Sequence, residues 1–452
     1  MSPRPIGDVN RARIILVPRR TAAAEMQRAT YPSIKVALGV WGLGAGLYLI
    51  GFFQRVAPAV ITQELMAEFA LSAVALGNLS ALYFYAYVAI QIPTGVLVDH
   101  WGSRRVLTAG GLLAATGTLL FALAPAYALV GTGRLLVGAG VGVAFVSMLK
   151  LATHWVQPSR FALISGLALA CGSIGGVSAG VPLRMAVDAL GWRPVMLAAG
   201  VLTALLSAAT WLLVRDDPRA RGYRSFSTLA PGAPSRHSML GGIAAVFRYR
   251  NVWLNFIGCG AITGPMLAFG GLWGVPFLVS QYGMTTAQAA FVTSVMLVAW
   301  AVGSPLAGAL SDRLHRRKLP ILVGGSIAAV LWAVLIYVPR LPYAAVLAVM
   351  AGLGLASGVV VIGFAFCKES APPPLAGTAS GVANMGNMLG GMAMQPLIGW
   401  LLDRGWDGTM AGPVRAYSFS AYAGGFTLML VWMVAGLCAI GCARETHAKQ
   451  SA

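Results

Sequence analysis

A water-soluble fold has nowhere to put the longest runs of this chain. Val36 to Phe53 and Val106 to Gly133 contain no charged residue. About 20 apolar residues in a helix cross a bilayer. Inside lipid, only helices and closed barrels satisfy their own backbone hydrogen bonds. Only 10% of the 452 residues are charged, where soluble domains carry about 25%. The 56 glycines suit helices that pack closely in a membrane. These runs predict an all-α membrane protein with twelve spans, at 35–60, 73–98, 106–124, 126–150, 161–187, 192–214, 252–280, 288–310, 320–338, 342–368, 376–402 and 418–442.

Charge sets the organisation. The net charge is +19. On one soluble domain that would point to nucleic acid. Here the cations lie in alternate loops, the positive-inside pattern, so no nucleic-acid partner is expected. Arg4, Arg11, Arg13, Arg19, Arg20, Arg28 and Lys35 crowd the N-terminal tail; Arg215, Arg219, Arg221, Arg224, Arg236, Arg248 and Arg250 crowd the polar stretch between spans six and seven. The expectation is a basic cytoplasmic tail (1–34), a six-helix half (35–214), a cytoplasmic linker (215–250), a second half (251–443) and a cytoplasmic tail (444–452). The predicted location is a bacterial inner (plasma) membrane, with the protein a monomer in contact with lipid. Arg19-Arg20 reads as solvated tail, because no apolar export-signal core follows at once. A start at Met26 would leave every span intact. Five cysteines are scattered without nearby His or carboxylate, so no metal is expected. No nucleophile motif or phosphate loop appears, so neither a cofactor nor an enzymatic activity is expected. Gly138-x-Gly140-x-Gly142 sits inside a span and is close helix packing.

The chain repeats itself. Gly95, Leu97, Asp99 and Arg104 recur as Gly308, Leu310, Asp312 and Arg317, each 213 positions on (312 − 99 = 213). Ser165-Gly166, Ala168 and Gly175-Gly176 in span five recur as Ser380-Gly381, Ala383 and Gly390-Gly391 in span eleven. Both spans continue through Pro-Leu to Asp and Gly-Trp: Pro182-Leu183, Asp188, Gly191-Trp192; Pro396-Leu397, Asp403, Gly405-Trp406. Two segments at nearly one offset indicate two related halves.

The repeated loop resembles the signature of the major facilitator superfamily, Gly-x-Leu-x-Asp-Arg-x-Gly-Arg-Arg. Gly95, Leu97, Asp99, Gly102, Arg104 and Arg105 match it, with His100 where arginine is usual. The second copy keeps Gly308, Leu310, Asp312, Arg313, Arg316 and Arg317 and has His315 in place of glycine. Arg134 followed by Gly138 and Gly140 is similar to the family's span-four pattern. Gly172 is followed by Ser173, not by the proline typical of proton-driven drug antiporters. Gln54-Arg55-Val56-Ala57-Pro58 and Leu272-Trp273-Gly274-Val275-Pro276 resemble bacterial members grouped with sugar-phosphate-permease-like and phagosomal nutrient transporters. The resemblance covers nearly the whole chain after the tail. It implies two pseudo-symmetric six-helix bundles that open a central site to each side in turn.

Several residues are candidates for that work. Asp99 and Asp312 end spans two and eight, placed to meet a helix N-terminus or Arg104, Arg105, Arg316 and Arg317 across the halves. The resemblance implies a cytoplasmic gate there; for the arginines alone, a topology signal is the plainer reading. Arg55 lies deep in span one, where an ionised group costs roughly 2.5–3.5 kcal/mol or more. It either faces a cavity and binds an anionic substrate group, or snorkels outward to pair with Glu64 or Glu68. Sugar-phosphate antiporters of the family use a span-one arginine in this way, and Arg55 looks similar. Their second arginine, in span seven, has no counterpart between Trp253 and Ser280.

Lys150 and Lys368 end spans four and ten, either as paired cations facing an anion or snorkelling, with Glu369 a partner for Lys368. Arg134 reads as a coupling or gating residue, or as a partner for Asp188 or a carbonyl. Arg184 and Asp188 are spaced as an i,i+4 pair. Tyr87 and Gln91 share a face of span two, and Asn384, Asn387 and Gln395 line span eleven; such groups hydrogen-bond a polar substrate or glue helices. No carboxylate lies plainly at mid-membrane, so protons are one candidate coupling ion beside exchange or facilitated movement. The leading expectation is a secondary carrier of a small polar anionic or zwitterionic metabolite. A proton-driven exporter of drugs or siderophores and a non-transporting sensor on a carrier scaffold are the alternatives.

Overall fold

The computed structural model describes residues 30–227, 244–372 and 375–448. The tail cations up to Arg28, Met26 and the linker segment from Pro231 to Arg236 lie outside the described residues. Among those described, eleven helices are long and apolar enough to cross a membrane: Ile34–Ala59, Ala73–Gln91, Pro93–Leu123, Tyr127–Trp155, Pro158–Leu190, Trp192–Leu213, Arg250–Tyr282, Thr286–Leu314, Lys318–Tyr337, Tyr343–Glu369 and Phe419–Cys442. The remaining predicted span is the helix Ala376–Arg404. Its 29 residues are long enough, but Asn384, Asn387 and Gln395 make it less apolar. Counted in chain order, with Ala376–Arg404 as span eleven, these are spans one to twelve. They form an all-α molecule of two six-helix bundles.

Local chemistry starts the helices. Ser33, Ser72 and Ser418 accept an amide three residues on at the starts of spans one, two and twelve. Thr285 and Gln288 form a capping box at span eight. The helical run Ala73–Leu123 continues through Pro93 and is broken at Gly102 (φ 79°, ψ 156°), a conformation essentially confined to glycine, so the second and third helices of the first bundle part there. The corresponding corner, 213 positions on (315 − 102), turns at His315 (φ 49°, ψ 36°). That is the ordinary left-handed region, where a side chain costs about 1–2 kcal/mol. The second loop therefore does without the family's glycine, whereas a Cβ at Gly102 would also run into the Asp216 carboxylate.

The bundles meet along spans two and eleven and along spans five and eight. The seam is tight at the end far from the linker, on the side of the hairpin Met410–Ala411/Val414–Arg415. A Cβ on Gly77 would lie 2.6 Å from the Gln395 carbonyl, and one on Gly399 would overlap the Ala73 carbonyl. Asp403 then crosses the seam. Its Oδ2 accepts the Val74 amide (2.8 Å), and its Oδ1 accepts the Ala73 amide (3.1 Å), the Tyr417 hydroxyl (2.7 Å) and Arg415 (3.2 Å). A carboxylate of one bundle thus caps the first turn of a helix in the other.

Spans one and seven are interrupted where they face each other. Span one tightens into the 3₁₀ turn Ala57–Ala59 at Pro58, and span seven widens into the π turn Phe269–Trp273 beyond Pro265. The two turns pack together; π turns recur at functional sites. On the opposite side the first part of the linker docks onto the first bundle. Phe226 donates its amide to the His154 carbonyl (3.1 Å) and stacks on Tyr31 (4.4 Å between rings), and Trp155 Nε1 donates to the Arg215 carbonyl (2.8 Å).

Candidate functional site

Tyr48, Phe52 and Arg55 follow one another at i, i+4 and i+7 and so share a face of span one. Tyr48 and Phe52 have ring centroids 4.7 Å apart, and the Arg55 guanidinium carbon stands 3.9 Å from the Phe52 centroid. Arg55 is 6% exposed. Among the described residues it has no hydrogen bond or ion pair; Phe52 backs it, and the Tyr48, Tyr83 and Tyr87 hydroxyls lie in its field. Pairing with Glu64 or Glu68 does not occur. Glu64 accepts from Arg184 (2.6 Å), which also holds Asp188, while Glu68 accepts from Trp192 Nε1 and Arg193 Nε (2.9 Å each). Both acids were already claimed by arginines of the fifth and sixth spans, which are distant in sequence.

Arg134 is 2% exposed. Its Nη1 donates to the carbonyl of Gln54, the residue before Arg55, at 2.7 Å. Nε and Nη2 are buried without a partner. Of its two expected partners, the carbonyl is realised and Asp188 is not. The Arg134 guanidinium lies 5.2 Å from the Tyr83 ring, which stacks on Tyr87 (5.8 Å). The Tyr83 hydroxyl is buried and unpartnered.

The amide residues divide into two groups. Asn384 Nδ2 donates to Gln91 Oε1 at 3.0 Å across the two bundles, and the Tyr87 hydroxyl faces both. Asn387 and Gln395 instead join span eleven to span seven. Asn387 accepts from Thr263 (3.2 Å), Gln395 Nε2 donates to the Leu267 carbonyl (3.1 Å), and the Gln395 carbonyl accepts from Trp273 Nε1 (3.0 Å).

At the linker side, both motif aspartates pair inside their own bundle, not across the halves. Asp99 pairs with Lys150 at 2.5 Å and Asp312 with Arg317 at 2.5 Å. Arg104 lies over Trp211 (4.2 Å) and gives its backbone amide to Asp216 (2.7 Å). In the second bundle the amides of Arg317 and Lys318 go to Glu445 (2.7 and 3.0 Å). Asp216 and Glu445 each stand three residues beyond the last helix of their bundle (216 − 213; 445 − 442). Each caps the third helix of that bundle, a symmetry that offset-matching alone did not reveal because the acids differ. Arg105, Arg316 and Lys368 are exposed. Glu369 receives Arg317 (2.8 Å) and the Thr446 hydroxyl (2.6 Å).

The Glu369 carboxylate, with Asp312, holds the Arg317 guanidinium above its ordinary pKa despite burial. Arg317 and Glu369 are 9% and 13% exposed. Breaking one side of such a buried pair costs about 3 kcal/mol. Glu369→Gln is expected to lower the melting temperature of the purified protein by several degrees, with Asp99→Asn lowering it by much less. The Asp99–Lys150 pair is 29% and 41% exposed and so contributes about 0–1 kcal/mol. Equal shifts would contradict this ranking.

Tyr48, Phe52, Gln54, Asp216, Asp403 and Glu445 were not singled out as site residues by sequence reasoning. The i, i+4, i+7 aromatic stripe leading to Arg55 was a usable signal for the first two. Nothing local marked the carboxylates as caps, because the amides they accept lie a hundred or more residues away.

The sequence profile of the Major Facilitator Superfamily matches residues 42–394. The chain is 24% identical over 395 residues to the probable sulfoacetate transporter SauU of Cupriavidus necator, covering 82% of this chain and 88% of that protein. It is 23% identical over 382 residues to the probable galactarate/D-glucarate transporter GarP of Escherichia coli, covering 78% and 85%. Among solved structures, a bacterial homolog of the human lysosomal transporter Spinster, in an inward-facing and unoccupied conformation, shares the fold. Its TM-score is 0.73 at 18% identity, over 90% of this chain and 97% of that one. With the profile matching most of a chain folded as paired six-helix bundles, the protein belongs to the Major Facilitator Superfamily of membrane transporters.

Proposed function

We propose that the protein is a secondary active transporter that moves a small polar organic anion by alternating access, with Arg55 meeting the acid group of its substrate. The observation that carries this reading is a buried guanidinium, backed by Phe52, with no acid or carbonyl partner among the described residues. A cation left so in a membrane protein is favourable only where an anion visits it. The names of the relatives, sulfoacetate and galactarate/D-glucarate transporters, agree with that class of cargo. Tyr87, Gln91 and Asn384, at the junction of the bundles, supply hydrogen bonds for the substrate's neutral polar groups.

By the positive-inside rule the linker side is cytoplasmic. The tight hairpin-side seam fits an inward-facing state, with halves 35–214 and 251–443 rocking about the site on the linker 215–250. Asp99 and Asp312 act at the cytoplasmic gate when that side closes, exchanging their present partners for contacts across the halves. Counterflow in proteoliposomes tests the transport reading: internal sulfonated or polyhydroxy carboxylates should accelerate uptake of the labelled anion. Flux equal to that of protein-free liposomes sinks it. Asp99→Asn should insert normally yet transport several-fold more slowly, and wild-type flux would remove Asp99 from the gate.

A further inference from the structure

The charges around Arg55 do not balance. Of the thirteen acidic residues, Asp8 and Glu25 lie outside the described residues. The other eleven (13 − 2) are engaged away from the bundle interior. Eight are placed in the contacts above. Asp188 is held by Arg184 (2.8 Å), Asp217 lies by His154 (3.7 Å) and Arg219, and Asp407 accepts the Thr409 amide (3.0 Å). None approaches Arg55 or Arg134. Both guanidiniums are more than nine-tenths buried. They are neighbours through the chain, since the carbonyl that Arg134 holds belongs to Gln54. The buried, unpartnered Tyr83 hydroxyl lies in the field of both.

We infer that the site is built for a dianion, with Arg55 contacting one acid group and Arg134 setting the second charge of the interior. This rests on the reading of Arg55 as the anion-binding residue. The argument is electrostatic. A buried cation without a counter-charge is strongly unfavourable, and with every acid among the described residues engaged elsewhere, the substrate supplies the negative charge that offsets two of them. Arg134 is 2% exposed and its Nη1 is held by the Gln54 carbonyl, so its influence is assigned to the field rather than to contact. Across roughly 10 Å at an effective dielectric near 20, one added charge is worth about tenfold in affinity.

The test measures binding of paired ligands to the purified full chain by thermal shift and calorimetry. The panel is the dicarboxylates of three to six carbons and a two-carbon sulfocarboxylate, each beside its monoamide, which keeps the size and removes one charge. The expected result is about tenfold tighter binding of the diacid. In Arg134→Gln that ratio falls towards one, while Arg134→Lys keeps it; a ratio unchanged in Arg134→Gln overturns the assignment to Arg134. If Arg134→Gln does not fold, the wild-type ratio decides. Equal affinity of diacid and monoamide overturns the dianion inference and leaves the anion reading standing. Unchanged affinity of both forms in Arg55→Gln, or no binding by any acid of the panel, overturns the anion reading and this inference with it.

Discussion

Arg55→Gln should bind its anionic substrate at least about 30-fold more weakly than the wild type while folding normally. Removing one member of a desolvated charge pair costs about 2–5 kcal/mol, and about 2 kcal/mol already corresponds to that factor. Folding should survive because the guanidinium makes no hydrogen bond or ion pair among the described residues. It rests on the Phe52 face, and glutamine relieves the penalty of burying a charge. The variant should therefore be as stable as wild type or more so, with binding lost. That opposite movement of stability and affinity is the signature of a group kept for a ligand. A variant that loses stability and keeps its affinity would make Arg55 a structural residue.

Asp403→Ala should release the seam on the hairpin side. The carboxylate accepts two amides at the start of span two, the Tyr417 hydroxyl and Arg415, and no other described side chain caps those amides across the bundles apart from the Tyr417 hydroxyl (3.1 Å to Ala73). Hydrogen bonds to charged groups contribute about 1.5–3 kcal/mol. A net loss of about 2 kcal/mol shifts the ratio of open to closed seam roughly 30-fold. Spin labels at Ala67 and Gly408, exposed on the two bundles at that side, should report a longer distance population in the variant. An unchanged distance distribution would show that the glycine contacts at Gly77 and Gly399 suffice to hold the seam.

Much of the architecture was legible one helix at a time. A transmembrane helix satisfies its backbone internally, so the length of an uncharged run fixes where a span lies, as Val36 to Phe53 does for span one. Periodicity also placed Arg184 opposite Asp188, because that pair is local. Span eleven shows the limit. Its amides weaken the apolar signal that the repeat with span five restores. The candidate site was legible as residue types rather than as partnerships. Asn384, Asn387 and Gln395 look alike along one helix, yet Asn384 reaches across the bundles while the other two bind span seven.

The sequence by itself determined the helical spans, the duplication and the sided distribution of charge, because each depends on composition within a run or on spacing between copies. Tertiary structure decided which charges are neutralised. Glu64 and Glu68 stand within a few turns of Arg55 in sequence, but they meet Arg184 and Arg193, delivered by other spans. Ion pairing depends on distances of a few ångströms between helices that are far apart along the chain. Only the packed bundles could leave Arg55 and Arg134 without a counter-charge among the described residues.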